Sequence, residues 1–154
     1  MAFLSSMDIV GSGLTAQQLR LDIVAENVTN AQTTRTENGD GPYRRKMVEF
    51  QAQDGRNSFR QAMAAAASGL PVSTPKQNEG GVRVTRIVED ESPFKRVFDP
   101  KHPDADEEGY VEMPNVDMVK EMTDAMAASQ AYSANVTMLN TLKGVLSKGL
   151  EIGR

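Results

Sequence analysis

The feature that most constrains the fold of this chain is a pair of helix-period apolar stripes, one near each end. In the first stripe, steps of seven residues alternate with offsets of three, which places every position on one face of an α-helix. Its eight positions, seven of them apolar, are Met7, Val10, Leu14, Gln17, Leu21, Val24, Val28 and Ala31. The spacing predicts a helix from Phe3 to about Ala31.

The second stripe is longer and covers the last third of the chain. Eight of its ten positions, spread over 33 residues, are apolar: Met118, Met122, Ala125, Ser129, Tyr132, Val136, Leu139, Lys143, Leu146 and Leu150. Asn115 follows Pro114 and is predicted as the N-cap, with Asp117 in the first turn, where the helix dipole favours a negative charge. The pattern therefore predicts a helix from Asn115 to Leu150.

Length indicates that these helices do not bury their apolar faces within one chain. A helix from Asn115 to Leu150 spans about 54 Å at 1.5 Å per residue, whereas a compact domain of this size has a diameter of about 40 Å. We expect the terminal helices to form a coiled-coil core, with the remaining apolar surface facing other chains. The side chains expected in core or inter-subunit packing are Met7, Val10, Leu14, Leu21, Val24, Val28, Met118, Met122, Tyr132, Val136, Leu139, Leu146 and Leu150.

The middle of the chain follows a different pattern. Turn residues occupy 37–42, and residues 55–80 contain few large apolar side chains, which favours a loop or mobile insert. Short β-branched and aromatic runs predict strands at 44–51, 82–89, 94–98 and 109–113. The predicted fold is thus mainly α with a small β insert, divided into an N-terminal helix and turn (1–34), a β and loop insert (35–114) and a C-terminal helix (115–154).

Composition excludes several classes of function. The 154 residues include no cysteine and one histidine, so thiol chemistry and thiolate zinc sites are ruled out and acid–base catalysis is disfavoured. A net charge of −4 and 5% aromatic residues argue against a nucleic-acid partner. The longest apolar run, Ala62–Ala67, is far shorter than the roughly 20 residues of a membrane span. The sequence predicts no catalytic residue, cofactor or metal, and no direct membrane insertion.

Two polar segments still require interpretation. The loop 104–109 alternates carboxylates before a glycine, as a calcium loop does, but Asn115 stands where the bidentate glutamate belongs, so an acidic solvated turn is favoured. His102 has no second histidine or cysteine as a partner, which favours a packing role. The basic run 44–46 is interpreted as a solvated strand face or as a salt-bridge partner for an acidic neighbouring subunit.

Several stretches resemble a known family. The run 27–36 (NVTNAQTTRT) is similar to the signature of the bacterial flagellar axial proteins of the rod and hook, and the run 99–117 (DPKHPDADEEGYVEMPNVD) is similar to their proximal-rod members. Shorter matches are GPYRRK at 41–46, SPF at 92–94 and LEIGR at 150–154. The motif residues are Asn27, Asn30, Thr33, His102, Pro103, Asp106, Gly109, Tyr110, Pro114 and Asn115.

The resemblance implies a structural subunit of the basal-body rod that spans the periplasm and transmits motor torque. It implies assembly into a helical shaft with itself and other rod proteins, after export by the flagellar type III apparatus. The alternative is a soluble coiled-coil adaptor or export chaperone, which would remain a small oligomer of fixed size. An enzyme is the third interpretation, and it would need a pocket with paired titrating groups.

Overall fold

A computed structural model describes residues 2–36, 41–53, 63 and 80–152 of the chain. Apart from residues 63 and 80, the predicted loop 55–80 lies outside the described residues, and so does most of the predicted turn 37–42. The described elements are α1 (Ala2–Thr29), β1 (Lys46–Ala52), β2 (Val82–Glu89), β3 (Lys95–Phe98), β4 (Tyr110–Met113) and α2 (Met118–Ile152).

The mainly α fold with a small β insert is confirmed. Both apolar stripes lie on long helices, and each predicted strand overlaps an observed one, with the bounds of β2 matching its prediction. The strands described form two separate two-stranded sheets, β1 with β2 and β3 with β4. The β3–β4 pair is antiparallel, and Phe98 lies opposite Tyr110 with their rings edge to face at 5.3 Å, an arrangement that stabilises cross-strand pairs.

The start of α2 corrects one prediction. The helix begins at Met118, and its N-cap is Asp117, whose carboxylate accepts a hydrogen bond from the backbone N–H of Val119 at 3.0 Å. Asn115 is therefore not the cap, because its side chain is used elsewhere, as described below. The cap still satisfies a backbone donor of the first turn with an acidic side chain.

The chain divides into two compact units, each containing part of both helices. Unit 1 comprises Met1–Ala16, Phe50–Val84 and Tyr132–Arg154, and unit 2 comprises Gln17–Glu49 and Thr85–Ala131. The predicted division of the chain into three consecutive domains, 1–34, 35–114 and 115–154, stays a prediction. No helix in the described part of the chain is long and apolar enough to cross a bilayer.

In unit 1, small residues allow close approaches to the helices. The Oγ of Ser12 accepts a hydrogen bond from the backbone N–H of Val82 at 3.0 Å, so the start of β2 is tied to α1. Gly81 has a φ of +107°, and a Cβ there would come 2.6 Å from the Ser12 Oγ, which only glycine avoids. A Cβ at Gly13 would likewise come 3.0 Å from the Nδ2 of Asn135 on α2.

In unit 2, the core contains few large apolar side chains. Its buried apolar residues are Ile23, Val24, Tyr43, Val111, Val116 and Ala128. Among the described residues of unit 2, three polar or charged side chains are buried with them, namely Asn27, Arg45 and Glu121. Buried charges are costly unless they are paired and hydrogen-bonded. These three residues therefore mark the part of unit 2 whose packing depends most on particular hydrogen-bond and ion-pair partners.

Candidate functional site

The buried polar junction of unit 2 begins with Asn27, which lies in the last turn of α1. Its carboxamide is 1% exposed and uses its full hydrogen-bonding capacity. The Oδ1 accepts from the backbone N–H of Lys46 and the hydroxyl of Tyr43, each at 2.9 Å. The Nδ2 donates to the backbone carbonyl of Lys46 at 2.9 Å and to Glu121 Oε2 at 3.0 Å. One side chain thus joins α1 to the start of β1 and to α2.

Arg45 lies at the centre of the junction and is 6% exposed. Its Nε donates to Glu121 Oε1 at 2.6 Å, and its Nη2 donates to Asp124 Oδ2 at 3.3 Å. Its Nη1 is 3.6 Å from Asp90 Oδ2. Asp124 is shared with Arg20 of α1, whose Nη2 donates to Asp124 Oδ1 at 3.1 Å. The buried Glu121, with 0% exposure, is therefore neutralised by a paired cation.

Asn115 closes the junction from the segment that precedes α2. Its Oδ1 accepts from the backbone N–H of Arg45 at 2.8 Å. Its Nδ2 donates to the carbonyls of Asp90 and Ser92 at 2.9 and 3.1 Å. Hydrogen bonds from the Ser92 hydroxyl and backbone N–H hold the pKa of the Asp90 carboxyl below its usual range, and Arg45 adds to this shift. Asp90 therefore stays ionised beside the guanidinium.

Tyr43 borders the same junction. Burial raises the pKa of its phenol well above the usual value, and the negative charges of Glu26 and Glu121 raise it further. The phenol consequently stays protonated and donates to Asn27. Lys46 pairs with Glu26 of α1 at 2.5 Å. The basic run 44–46 is therefore not a solvated strand face at Arg45, which binds acidic residues of its own chain.

The acidic loop is organised by its own backbone and by the turn after α1. Asp106 accepts hydrogen bonds from the backbone N–H groups of Tyr110 and Glu108 at 2.7 and 3.0 Å, which lower the pKa of its carboxyl. The hydroxyl of Thr34 donates to Asp104 at 2.8 Å and is the main reason that the pKa of Asp104 is lowered. Arg35 pairs with the other oxygen of Asp104.

These contacts leave an open groove of about 730 Å³ beside the β3–β4 hairpin. Its walls are formed by Thr34, Arg35, Gly41, Pro42, Arg96, Pro103, Asp104, Ala105, Asp106, Tyr110 and Glu112. The Nδ1 of His102 accepts from the backbone N–H of Asp104 at 3.1 Å. Across the described ranges, no group of three or more histidine, aspartate or glutamate side chains could hold a metal ion. The carboxylates of Asp104 and Asp106 act instead as loop caps and ion-pair partners.

One flank of α2 in unit 2 presents large apolar side chains to solvent. Met122 and Met126 are 56% and 62% exposed, and Val119 is 74% exposed. Together with Met118, these three residues form what we call the methionine flank. The inward face of the same turns carries Glu121, Asp124 and Ala128 instead. The usual arrangement of an amphipathic helix, apolar inside and polar outside, is thus reversed over these turns.

The residues expected in core or inter-subunit packing fall into three groups. Val24 is buried. Half-buried are Met7, Val10, Leu14, Leu21, Val28, Tyr132, Val136 and Leu139. Exposed are Met118, Met122, Leu146 and Leu150. Of the four buried positions described on α1, Val24 lies on the predicted stripe, whereas Ala16, Ile23 and Asn27 lie beside it.

The structure brings the family-motif residues into unit 2 but gives them different tasks. Asn27 and Asn115 belong to the junction, while Asn30 donates to the carbonyl of Glu26 and so satisfies the end of α1. Pro114 and Gly109 are buried next to β4. The backbone carbonyl of Thr33 accepts a hydrogen bond from the backbone N–H of Tyr43. The remaining motif residues, His102, Pro103, Asp106 and Tyr110, belong to the acidic loop and its groove.

Sequence reasoning missed Arg45, Glu121, Tyr43, Asp124 and Asp90. Charged residues on a helix or strand are normally solvated, so hydropathy assigns them to the surface. The only local signal is that Glu121 lies one turn from Ala125, on the side of the helix next to the apolar stripe. Their pairing joins residues as far apart as 104 positions, and a single sequence carries no record of it.

Comparison with known proteins matches both ends of this chain to flagellar rod families. Residues 7–35 match the family described as flagella basal body rod protein, and residues 107–152 match the C-terminal family of the flagellar basal body rod FlgEFG proteins. The flagellar basal-body rod protein FlgC of Bacillus subtilis is 45% identical over 153 residues, which cover 97% of each chain. The FlgC proteins of Salmonella typhimurium and Borreliella burgdorferi are 40% and 39% identical to this chain. The alignment with the Salmonella protein covers 100% of both chains, and the alignment with the Borreliella protein covers 99% of this chain and 98% of the relative.

Proposed function

The chain belongs to the FlgC family of flagellar basal-body rod proteins, and from this premise we propose that the methionine flank of α2 is the surface that contacts neighbouring rod subunits. The chain is a structural subunit of the basal-body rod and not an enzyme, and it assembles with other rod and basal-body proteins. The full-length relatives give no support to the alternative of an adaptor or export chaperone. What remains to be assigned is which surface makes the contacts.

The observation that carries the proposal is the exposure of the methionine flank itself. Large apolar side chains clustered on one surface typically mark an interaction site, and methionine adapts its flexible side chain to irregular partner surfaces. In unit 1, the same helix also exposes Met138, Val145, Leu146 and Leu150. A coiled-coil arrangement in which these faces pack against axial helices of neighbouring subunits buries them. The helical shaft that results is the part of the flagellum through which torque passes.

The test replaces Met122 and Met126 together by glutamate. Both side chains are exposed, so the purified variant should melt within a few degrees of the wild type, while rod incorporation and swimming should be lost because charges cannot be buried without partners. The matched control replaces Thr123 and Ala127 by glutamate and should swim normally. Both are exposed, have the same spacing as Met122 and Met126, and lie outside the arc of the methionine flank. Basal bodies isolated from the Met122→Glu, Met126→Glu strain with wild-type amounts of the chain would contradict the proposal.

Neighbours can be identified by placing a photo-crosslinking amino acid at Met122. Assembled basal bodies should yield cross-links to rod proteins, and the purified monomer should yield none.

We also propose that the chain reaches the rod through the flagellar type III export apparatus. Cells whose export apparatus is disabled should then retain the chain inside the cytoplasm, which fractionation measures directly.

A further inference from the structure

We infer that the Arg45–Glu121 pair, which ties α2 to the segment between α1 and β1, determines the register of α2 in unit 2. The two residues act as positioning residues that fix which side of α2 faces outward. The inference concerns the single chain and holds whether or not the methionine flank is the assembly surface. Only its consequence for assembly rests on the proposed function.

Apolar packing alone does not define this register. The inward and flanking positions of α2 include Ala125, Ala128 and Ala131, spaced three residues apart. A slip of three residues therefore exchanges one alanine methyl group for another, so apolar packing on this face does not favour one alignment over the next. In helical assemblies with similar degeneracy, a single buried polar group selects the register because only one alignment pairs it.

The geometry of the pair supplies that selection. Glu121 receives hydrogen bonds from two directions, Arg45 Nε at 2.6 Å and Asn27 Nδ2 at 3.0 Å. A slip of one helical turn moves its carboxylate by about 5.4 Å, and a shift of one residue rotates it by about 100°. Either movement breaks both bonds and leaves the buried guanidinium without Glu121, the closest of its acidic partners, which is unfavourable.

Alternative alignments are penalised in both directions. A slip of three residues one way places the apolar Met118 opposite Arg45. A slip the other way places Asp124 there, but its side chain is one carbon shorter and the move removes it from Arg20, its partner at 3.1 Å. Only the observed alignment satisfies Arg20 and Arg45 together. Because the methionine flank lies on the same turns as Glu121, the pair also fixes the direction in which that flank points.

Replacing both partners separates register from stability. In the Arg45→Met, Glu121→Met double variant, Asp124 keeps Arg20 and Asp90 keeps Ser92. Swapping a buried ion pair for apolar residues of similar volume often leaves stability unchanged or raises it. Asn27 Nδ2 loses the Glu121 acceptor but keeps the Lys46 carbonyl, and the Arg20–Asp124 pair that remains is about one-third exposed and holds the alignment only weakly. We therefore expect a melting temperature within a few degrees of the wild type but a loss of unique alignment. Arg45→Met alone should lower the melting temperature sharply.

Alignment is measured between spin labels on cysteines introduced at Asp22 and Thr123, which are exposed on α1 and α2 of unit 2. The natural chain has no cysteine, so labelling is specific. Pulsed electron paramagnetic resonance should give one narrow distance for the wild type. The double variant should show a second population or a displaced peak. The control, Arg86→Met with Glu49→Met, removes an exposed ion pair of the same unit and should keep the single peak.

A single unshifted peak in the double variant would overturn the inference. If the double variant does not fold while the control does, Glu121→Gln decides the question, because it keeps the shape but places an amide N–H₂ against the donors of Asn27 or Arg45. A second peak in Glu121→Gln then supports the register role, and a single unshifted peak refutes it.

Discussion

Replacing Asn27 by alanine tests whether the junction organises unit 2. The change removes a carboxamide that is 1% exposed and makes four hydrogen bonds. Both backbone groups of Lys46 and the hydroxyl of Tyr43 lose their partner, and Glu121 loses one of its two. Each hydrogen bond contributes about 1 kcal/mol net, and orphaned buried groups cost more. Since Lys46 is only half-buried and water can reach it, we expect a total loss of about 3–4 kcal/mol.

The measurement is urea unfolding of the purified chain, followed by far-ultraviolet circular dichroism, with the slope compared between variants. The control is Asn140→Ala on α2, where the side chain is exposed and the change should stay within about 0.5 kcal/mol. Both variants remove the same carboxamide from a helix, so helix propensity cancels between them. Motility on soft agar should fall for Asn27→Ala, more at higher growth temperature.

A loss below about 1 kcal/mol for Asn27→Ala would refute the reasoning, because it would mean that water replaces the carboxamide without penalty. A loss of similar size in both asparagine variants would also contradict it, since the effect would then belong to helix propensity rather than to the buried hydrogen bonds.

Two further predictions concern a glycine and a tyrosine of unit 2. Gly109 has a φ of +83°, and a Cβ there would lie 3.0 Å from a ring carbon of Phe98, so Gly109→Ala should destabilise the chain by about 1–3 kcal/mol in thermal unfolding. By contrast, Gly144→Ala, at a helical site with no neighbour within 4 Å, should stabilise it by up to about 1 kcal/mol, and equal signs would refute the argument. The phenol of Tyr43 has a raised pKa in the folded state, whereas in the unfolded chain its pKa is 10.0. Above pH 10.0 the unfolded chain loses this proton and the folded chain keeps it, so the free energy of unfolding should fall as pH rises. The Tyr43→Phe variant should lose less stability over that interval, and parallel pH curves would contradict the assignment.

The helices and most strands were predictable because their signals are local. An apolar stripe with helical spacing reports a helix wherever its partner lies, and the alternating β-branched run of 82–89 matches β2. The position of the cap at Asp117 was missed by two residues because Asn115 has equal capping propensity. Only the structure shows that the Asn115 side chain is already committed to Arg45 and Asp90.

The packing faces were less predictable for a physical reason. A hydropathy criterion selects the stripe with the most apolar side chains, whereas the buried positions of α1 include the small Ala16 and the polar Asn27. A polar side chain becomes suitable for burial only when its partners are known, and those of Asn27 lie 16 to 94 residues away on other elements of the chain. The candidate site therefore could not be derived from the local pattern that located its helices.

The division of roles on α2 follows from what each face must do. Directional hydrogen bonds select one alignment but add little net stability, so they suit the inward face, where Glu121 meets Arg45 and uniqueness matters. Apolar contacts are strong and tolerant of geometry, so they suit the outward face that we propose as the contact surface for neighbouring subunits. On this proposal, exchanging the two faces would bury the methionines within the chain and remove its contact surface. Neighbouring subunits would then supply the apolar burial that the small, polar core of unit 2 lacks.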